Sequence, residues 1–377
     1  MAKQGKIKVL FTIPNFDTAG SGKALLKIAE SLNPECFEPH IACMHNKGVF
    51  FKIVEQSGIP IHIIPYTIRM KPYYKGVLHC YKISRLFKKI NPDIIHSFHY
   101  APDYSEALAA RLAGIPWVYT KKNMNWGGSS GNGWKLRSFL AKAIILQNTD
   151  MKAQFFPESN KTFLIPRGVD ISEFKPAAAK PSLLKKWGLT ENNPVLMCVA
   201  NLVPVKGVHI LIDAFKNVIS HYPEWKLVIV GKDTSEYSHE LKQKTKKEGL
   251  LEKVIFTGSQ TNIAEYLNLA CVFALPTLNE GRKEGSPVAL LEAMACGCCV
   301  MGSDVPGIRD QLAAFPDLLV EAGSIEAWTR ALKKMLGNSP QELDQLGNEL
   351  REHIVNHFTL GKEVHKSEVL YKKITGK

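Results

Sequence analysis

The sequence predicts an α/β protein made of two Rossmann-like, doubly wound domains facing each other across a cleft. Three observations carry that expectation. The chain has 377 residues, which fits two domains better than one. Short β-branched runs alternate with helical patterns, and the alternation starts again in the second half. Such alternation implies right-handed crossovers and parallel sheets. Between the two rounds, "PRGVDISEFKPAAAKPS" (166–182) is rich in Pro, Gly and Ala and breaks the rhythm. The expected organisation is an N-terminal domain over 1–165, a linker over 166–185 and a C-terminal domain over 186–355. A last helix within 356–377 is expected to pack back on the first domain.

The elements follow in order. "IKVLFTIP" (7–14) reads as a buried strand and "GKALLKIAESL" (22–32) as a helix with apolar residues at helical spacing. "EPHIACMH" (38–45), "IPIHIIPY" (59–66) and "DIIHSFH" (93–99) are further strands. "YSEALAARLAG" (104–114) is a helix stopped by Gly114, and "IPWVYTK" (115–121), "AIILQ" (143–147) and "TFLIP" (162–166) complete this half. After the linker, "PVLMCVANL" (194–202), "WKLVIVGK" (225–232), "KVIFTGS" (253–259) and "CVFALPT" (271–277) are strands. Helices at 207–222, 238–250 and 263–270 separate them. "SPVALLEAMACG" (286–297) is the next helix, with Ser286 as N-cap, Pro287 in the first turn and Gly297 as the stop. "CVMGSD" (299–304) and "DLLVEA" (317–322) are the last strands, and a basic helix spans about 363–373.

Composition narrows the function classes. No uninterrupted apolar run reaches the ~18 residues a spanning helix needs. The basic start "MAKQGKIKVLFTI" lacks the apolar core and cleavage site of a signal peptide. Eight scattered cysteines fit reduced thiols of a cytoplasmic protein. Cys296, Cys298 and Cys299 contain a CxxC spacing, but no second ligand pair lies nearby, so they read as structural rather than zinc-binding. Residues 1–176 carry 24 Lys/Arg against 12 Asp/Glu, whereas 177–377 carry 24 against 23. The first half is therefore expected to meet something anionic. No nucleic-acid-binding motif accompanies the charge.

Three stretches carry chemistry. "AGSGKALL" (19–26) is a glycine turn before a helix; Asp17 and Ala24 stand where a P-loop needs Gly and Ser or Thr, so a P-loop is rejected. The turn around Gly20 still lets backbone N–H groups approach an anion. "VANLVPVKGVHILIDAF" (199–215) puts Asn201 and Lys206 between a strand end and a helix, where Lys206 can neutralise a diphosphate. In "KEGSPVALLEAMACG" (283–297), Glu292 interrupts an apolar helix and Glu284 lies in the turn before it. A carboxylate in an apolar helix needs partners, and a sugar diol supplies two directional hydrogen bonds. Phosphates would meet the helix N-terminus and Lys206 instead. The pattern suits a nucleotide sugar.

These stretches resemble the retaining glycosyltransferases of two-Rossmann, GT-B fold, the group often called family 4. "EGSPVALLE" matches that family's Glu-x7-Glu signature, and "PTLNEGRKEGSPVALLEAMACGCCVMGSDVPGIRD" (276–310) is similar almost throughout. "IPRGVDISEFKP" (165–176) is similar to its Ile-Pro-Asn-Gly-Val-Asp-x3-Phe-x-Pro segment. The resemblance implies that Glu284 contacts the donor sugar and Glu292 the ribose. It implies that Lys206 binds the diphosphate, helped by backbone near Gly20, Ser286 and Val288. Two positions depart from the family. Asn201 stands where many members carry Arg, and Lys122 stands about where many carry His, which makes Lys122 and Asn123 candidates for contacting donor or acceptor. His96 and His99 are alternatives that read more simply as structural histidines.

The implied reaction moves a hexose-type sugar from a nucleotide diphosphate sugar to an acceptor hydroxyl with retention. It is expected in synthesis of cell-envelope polysaccharide, lipopolysaccharide or glycolipid. No Asp-x-Asp motif suggests a metal, and no cofactor beyond the donor is expected. The alternatives are a sugar-nucleotide epimerase or phosphorylase of the same shape, or an inactive sugar-nucleotide-binding subunit. "RMKPYYKG" (69–76) and "KISRLFKK" (82–89) interleave basic and apolar residues, as an interfacial helix does. They predict a cytoplasmic protein with peripheral contact at an anionic membrane and a lipid-linked or glycan acceptor.

Overall fold

The structure, a computed structural model, describes residues 5–17, 19–48, 50–125, 131–280 and 285–377. The chain divides into two compact units, Met1–Pro166 with Leu360–Lys377, and Arg167–Thr359. The first unit runs β1 (Ile7–Thr12), α1 (Ala19–Ser31), β2 (Phe37–Cys43), α2 (Phe51–Gln56), β3 (Ile61–Ile63), α3 (Tyr73–Ile90), β4 (Ile94–Ser97), α4 (Ser105–Ala113), β5 (Trp117–Lys121), α5 (Gly131–Leu140), β6 (Ala143–Leu146), α6 (Thr149–Phe155) and β7 (Thr162–Leu164). Its seven strands are parallel in the order β3-β2-β1-β4-β5-β6-β7.

Both faces of this sheet are covered, so its central strands must be apolar on both sides. The period of two sorts β1: Val9 and Phe11 join a core with Leu25, Leu26 and Ile28 of α1. Leu10 joins the opposite core, with Cys80, Ile83 and Phe87 of α3.

The second unit runs α7 (Pro181–Lys186), β8 (Val195–Val199), α8 (Val208–Val218), β9 (Lys226–Val230), α9 (Glu236–Lys247), β10 (Val254–Gly258), α10 (Ile263–Leu267), β11 (Val272–Leu275), α11 (Val288–Ala295), β12 (Cys299–Ser303), α12 (Ile308–Gln311), β13 (Leu319–Val320), α13 (Ile325–Leu336) and α14 (Pro340–His357). Its six strands are parallel in the order β10-β9-β8-β11-β12-β13 around one core. The last helix, α15 (Leu360–Thr375), places Val364, Leu370 and Tyr371 in the first unit's core beside Phe11 and Phe37.

The expected α/β class holds in both units, and several elements differ in extent. The strand expected over 59–66 shrinks to β3, because Pro60 and Pro65 flank it and this is an edge strand. The segments 69–76 and 82–89 belong largely to one helix, α3. Helix α7 forms across the end of the expected linker, started by Pro181. The long helices α13 and α14 have no counterpart in the sequence reading, although Ser339 and Glu342 make a capping box at the start of α14. Ser286 is not an N-cap: its hydroxyl accepts from Gln311 Nε2 at 3.0 Å, and α11 starts two residues later. Cys296, Cys298 and Cys299 are free buried thiols, and burial pushes Cys296 and Cys299 up to about 12.

Candidate active site

In open α/β sheets the carboxyl ends of the strands are where ligands are held. In the second unit, β8 leads to Asn201, which is exposed, and Leu202, which is buried. One 3-10 turn, Pro204–Lys206, follows, and then Gly207 in the left-handed region at φ 64°. A Cβ at 207 would stand 2.0 Å from the Pro276 carbonyl oxygen, so only glycine lets this turn press against the chain leaving β11. The same contact is tied by Leu278 N–H donating to Val205 O at 2.8 Å. Lys206 is half-buried at this edge. Burial pushes its ammonium down to about 8, against a smaller opposing effect of the Cys198 thiol. An anionic ligand would restore what the lost solvent took away.

Neighbouring β11 leads to α11 at the same edge of the sheet. Leu290, Leu291, Ala293, Met294 and Ala295 are buried, whereas Val288, Ala289 and Glu292 are half-buried. Residues 288 and 292 are four apart and share a helix face. Glu292 therefore stands on the one face that α11 does not bury, a turn in from the helix start. The first N–H groups of any helix have no intrahelical partner, and that end suits an anion. Gln311 fixes the approach, donating from Nε2 to Ser286 Oγ at 3.0 Å and to Pro287 O at 3.1 Å. Asn201, Lys206, Ser286, Val288 and Glu292 thus lie on loops and helix starts that follow two adjacent strands. Glu284 lies outside the described residues.

The first unit has its own carboxyl edge. Gly20 is the second residue of α1 and exposed, and a Cβ there would touch nothing within 4 Å. Lys122 is half-buried just past β5; its Nζ donates to Phe98 O and lies 4.9 Å from the Phe98 ring centroid. Asn123 Oδ1 accepts from Lys121 Nζ at 3.3 Å and from Asn125 N–H at 3.2 Å. His96 is buried and satisfied, between Tyr371 Oη at 2.6 Å and Thr120 Oγ1 at 2.8 Å, so it is structural. His99 is buried with Nδ1 unpartnered, and burial with the nearby Arg137 and Lys122 charges pushes it down to about 3. It is a neutral imidazole at physiological pH.

Three groups escaped the sequence reading. Glu106, in the first turn of α4, is wholly buried; Thr12 Oγ1 donates to its Oε1 and Ser97 Oγ to its Oε2 at 2.7 Å. Arg137 on α5 is also wholly buried. Its guanidinium donates to the carbonyls of His99 at 2.9 Å, Ala101 at 3.1 Å and Asp103 at 2.9 Å. It lies 4.9 Å from the Trp117 ring and 4.8 Å from the Tyr119 ring. Burial pushes Glu106 up and Arg137 down, and each charge opposes the other's shift. Lys121 is buried as well, donating to Asn123 O at 2.5 Å and Asn125 O at 2.7 Å, and burial pushes it down to about 7. The only available signal was weak: Glu106 sits in an alanine-rich helix and Arg137 beside aromatic residues, with nothing to mark either as paired.

Comparison with known proteins identifies the family and the fold. Residues 179–353 match the family model of the glycosyl transferases group 1, and residues 18–173 match that of Glycosyltransferase Family 4. One relative is the UDP-Gal:α-D-GlcNAc-diphosphoundecaprenol α-1,3-galactosyltransferase of Escherichia coli. It is 28% identical over 374 residues, covering 94% of this chain and 93% of the relative. Among solved structures, a glycosyltransferase from Rickettsia africae superposes with a TM-score of 0.86 at 18% identity, over 98% of this chain and 99% of that one. HepE of Anabaena, in complex with UDP and glucose, superposes with a TM-score of 0.80 at 20% identity, over 97% and 99%. The chain belongs to the group 1 glycosyl transferases of family 4 type and has the two parallel α/β domains of their GT-B fold.

Proposed function

We propose that this glycosyltransferase moves a hexose from a nucleotide diphosphate sugar to an acceptor hydroxyl, with retention and without a metal ion. The observation that carries the reading is the carboxyl edge of the second sheet. There a half-buried lysine with a lowered pKa, a helix start and a carboxylate one turn in follow adjacent strands. Lys206 and the N-terminal amides of α11, about Ser286 and Val288, take the diphosphate. Glu292 takes the ribose hydroxyls, and Glu284 the transferred sugar. Asn201 lines the phosphate loop without adding charge. In the first unit, backbone near Gly20 and the side chains of Lys122 and Asn123 are the candidates for contacting donor or acceptor.

The bond from the anomeric carbon to the diphosphate breaks, and the acceptor oxygen bonds to that carbon on the same face. The leaving phosphate oxygen takes the acceptor proton. Charge gathers on the diphosphate as the bond breaks, and preorganised donors lower the barrier most where charge develops. For the acceptor we favour a sugar linked to lipid through a diphosphate, in envelope glycan or glycolipid synthesis at the inner face of the cytoplasmic membrane. The E. coli relative is named for such an acceptor and for UDP-Gal, and its match runs along both chains.

The test is incubation with UDP-galactose or UDP-glucose and a diphosphate-lipid-linked GlcNAc. The expected products are UDP and one α-linked disaccharide, read by mass spectrometry and NMR. An epimerised sugar nucleotide, or UDP with no glycosylated acceptor, would sink the reading. Glu284→Ala is expected to lower transfer by roughly 10²–10³ while UDP still raises the melting temperature. Normal turnover in that variant would remove Glu284 from the site.

Lys206 also predicts a pH dependence. Burial pushes its pKa down to about 8, so the charged form is lost as pH rises through that value. UDP affinity, followed by calorimetry, should be level at low pH and fall as pH climbs past about 8. Bound diphosphate favours the ammonium and moves the midpoint of the complex higher. Lys206→Arg keeps its charge and should remove the fall; a fall of equal size in that variant assigns it to another group.

A further inference from the structure

We infer that α3 is a docking helix that lies flat on an anionic lipid surface and takes lipid phosphates between its basic side chains. Its inner face is a narrow stripe, Gly76, Cys80, Ile83, Ser84 and Phe87, packed on the first unit. The rest faces outward. Six of the eighteen large exposed apolar side chains among the described residues are on this one helix: Tyr73, Tyr74, Val77, Leu78, Tyr81 and Leu86. Tyr74, Leu78 and Tyr81 are spaced by four and three, so they form one row, with Tyr73 and Val77 beside it. Lys75, Lys82 and Lys89 are spaced by seven and form an adjacent row that Leu86 joins, while Arg85 and Lys88, four and seven residues past Tyr81, continue the tyrosine row.

Helix α3 contains no acidic residue. Among the described residues no carboxylate pairs with any of those five cations. Lys75, His79, Lys82 and Arg85, with Leu78 and Tyr81, line a shallow groove of ≈ 320 Å³. A helix whose outward face interleaves cations with tyrosine and aliphatic residues, and carries no acid, matches the boundary between headgroups and acyl chains. The aliphatic side chains argue for lipid over nucleic acid, whose exposed partners are phosphates and base faces. The charge excess of the first half, 24 Lys/Arg against 12 Asp/Glu, adds long-range attraction of the same sign. That docking serves a lipid-linked acceptor rests on the function proposed above; the binding itself is a separate measurement.

The experiment is co-sedimentation of the full chain with vesicles of phosphatidylglycerol and phosphatidylcholine, and of phosphatidylcholine alone. Binding is expected to the mixed vesicles and to weaken with salt. Replacing Lys75→Gln, Lys82→Gln and Arg85→Gln together should weaken partitioning roughly hundredfold, at about fivefold per cation. Tyr74→Ser, Leu78→Ser and Tyr81→Ser together should weaken it at least about tenfold. Both triple variants change exposed side chains and should keep UDP binding and transfer to a detergent-dispersed acceptor. Equal binding to neutral vesicles, wild-type binding by both variants, or tighter binding to polyuridine RNA than to the mixed vesicles overturns the inference. Vesicle binding without transfer by the wild type would instead count against the proposed reaction alone.

Discussion

Glu106→Leu is expected to destabilise the first unit by about 3–5 kcal/mol, because it strands the Arg137 charge in the interior. Arg137 is wholly buried and its guanidinium holds three backbone carbonyls between residues 99 and 103. Glu106 is the nearby opposite charge, one serine hydroxyl away: Ser97 Oγ donates to Glu106 and accepts from Arg137 at 3.4 Å. Without the carboxylate, the cation keeps its desolvation cost and loses its compensation. Removing both charges is gentler, since well-packed apolar residues often replace a buried pair at little cost. Glu106→Leu with Arg137→Met is therefore expected to recover part of the loss; the abandoned carbonyls, each about 1–3 kcal/mol if left unsatisfied, set the remainder. Urea unfolding followed by tryptophan fluorescence reads the cycle, and additive single effects would show that the two charges are not coupled.

Lys206→Ala is expected to lower the transfer rate by roughly 10²–10³, the usual loss for one donor aimed at developing charge. Stability should hardly change, or rise, because the folded protein already disfavours the ammonium. The sign follows from the pKa: it is lower in the folded state than the ordinary 10.5, at about 8. Below that value the charged form is a burden on folding, relieved as pH rises toward the unfolded pKa. A half-buried lysine kept at that cost in a glycine-bounded turn is placed for a ligand rather than for the fold. Single-turnover rates and thermal melts on one preparation separate the two effects. A rate within about threefold of wild type would remove Lys206 from the diphosphate site.

The fold class was legible because both units obey rules that leave marks in sequence. Strands covered on both faces must be continuous apolar runs: β8 and β11 are throughout, and β1 is from Val9 to Phe11. Helices α13 and α14 were hidden for the opposite reason. They follow the short β13 and mix charged with apolar residues, so no strand-and-helix alternation frames them. Of the candidate site, the loops after β8 and β11 were marked by Lys206 between a strand end and a helix and by Glu292, a carboxylate in an apolar helix; the close approach that requires Gly207 joins two distant stretches and left no such mark. The pairing of Glu106 with Arg137 was not, since it joins the start of one helix to the middle of the next through the ends of two strands. Distance along the chain carries no signal for that. Lys122 shows the same limit: its hydrogen bond to Phe98 O depends on loops meeting, not on local pattern.

The return of α15 bears on the order in which the chain can fold as it is made. Tyr371 supplies the hydroxyl that satisfies buried His96, and its ring packs against Phe11 and Phe37 at centroid distances of 6.4 and 6.2 Å. A ribosome that has released residues 5–166 has therefore delivered every strand of the first sheet, with α1 and α2 on one of its faces, but not the helix that completes the cover of that face. The second unit, Arg167–Thr359, is contiguous and has all its parts before α15 emerges. The half of the protein synthesised first is thus the half completed last, and the part of that face left for α15 is the surface a nascent chain must keep from aggregating in the interval.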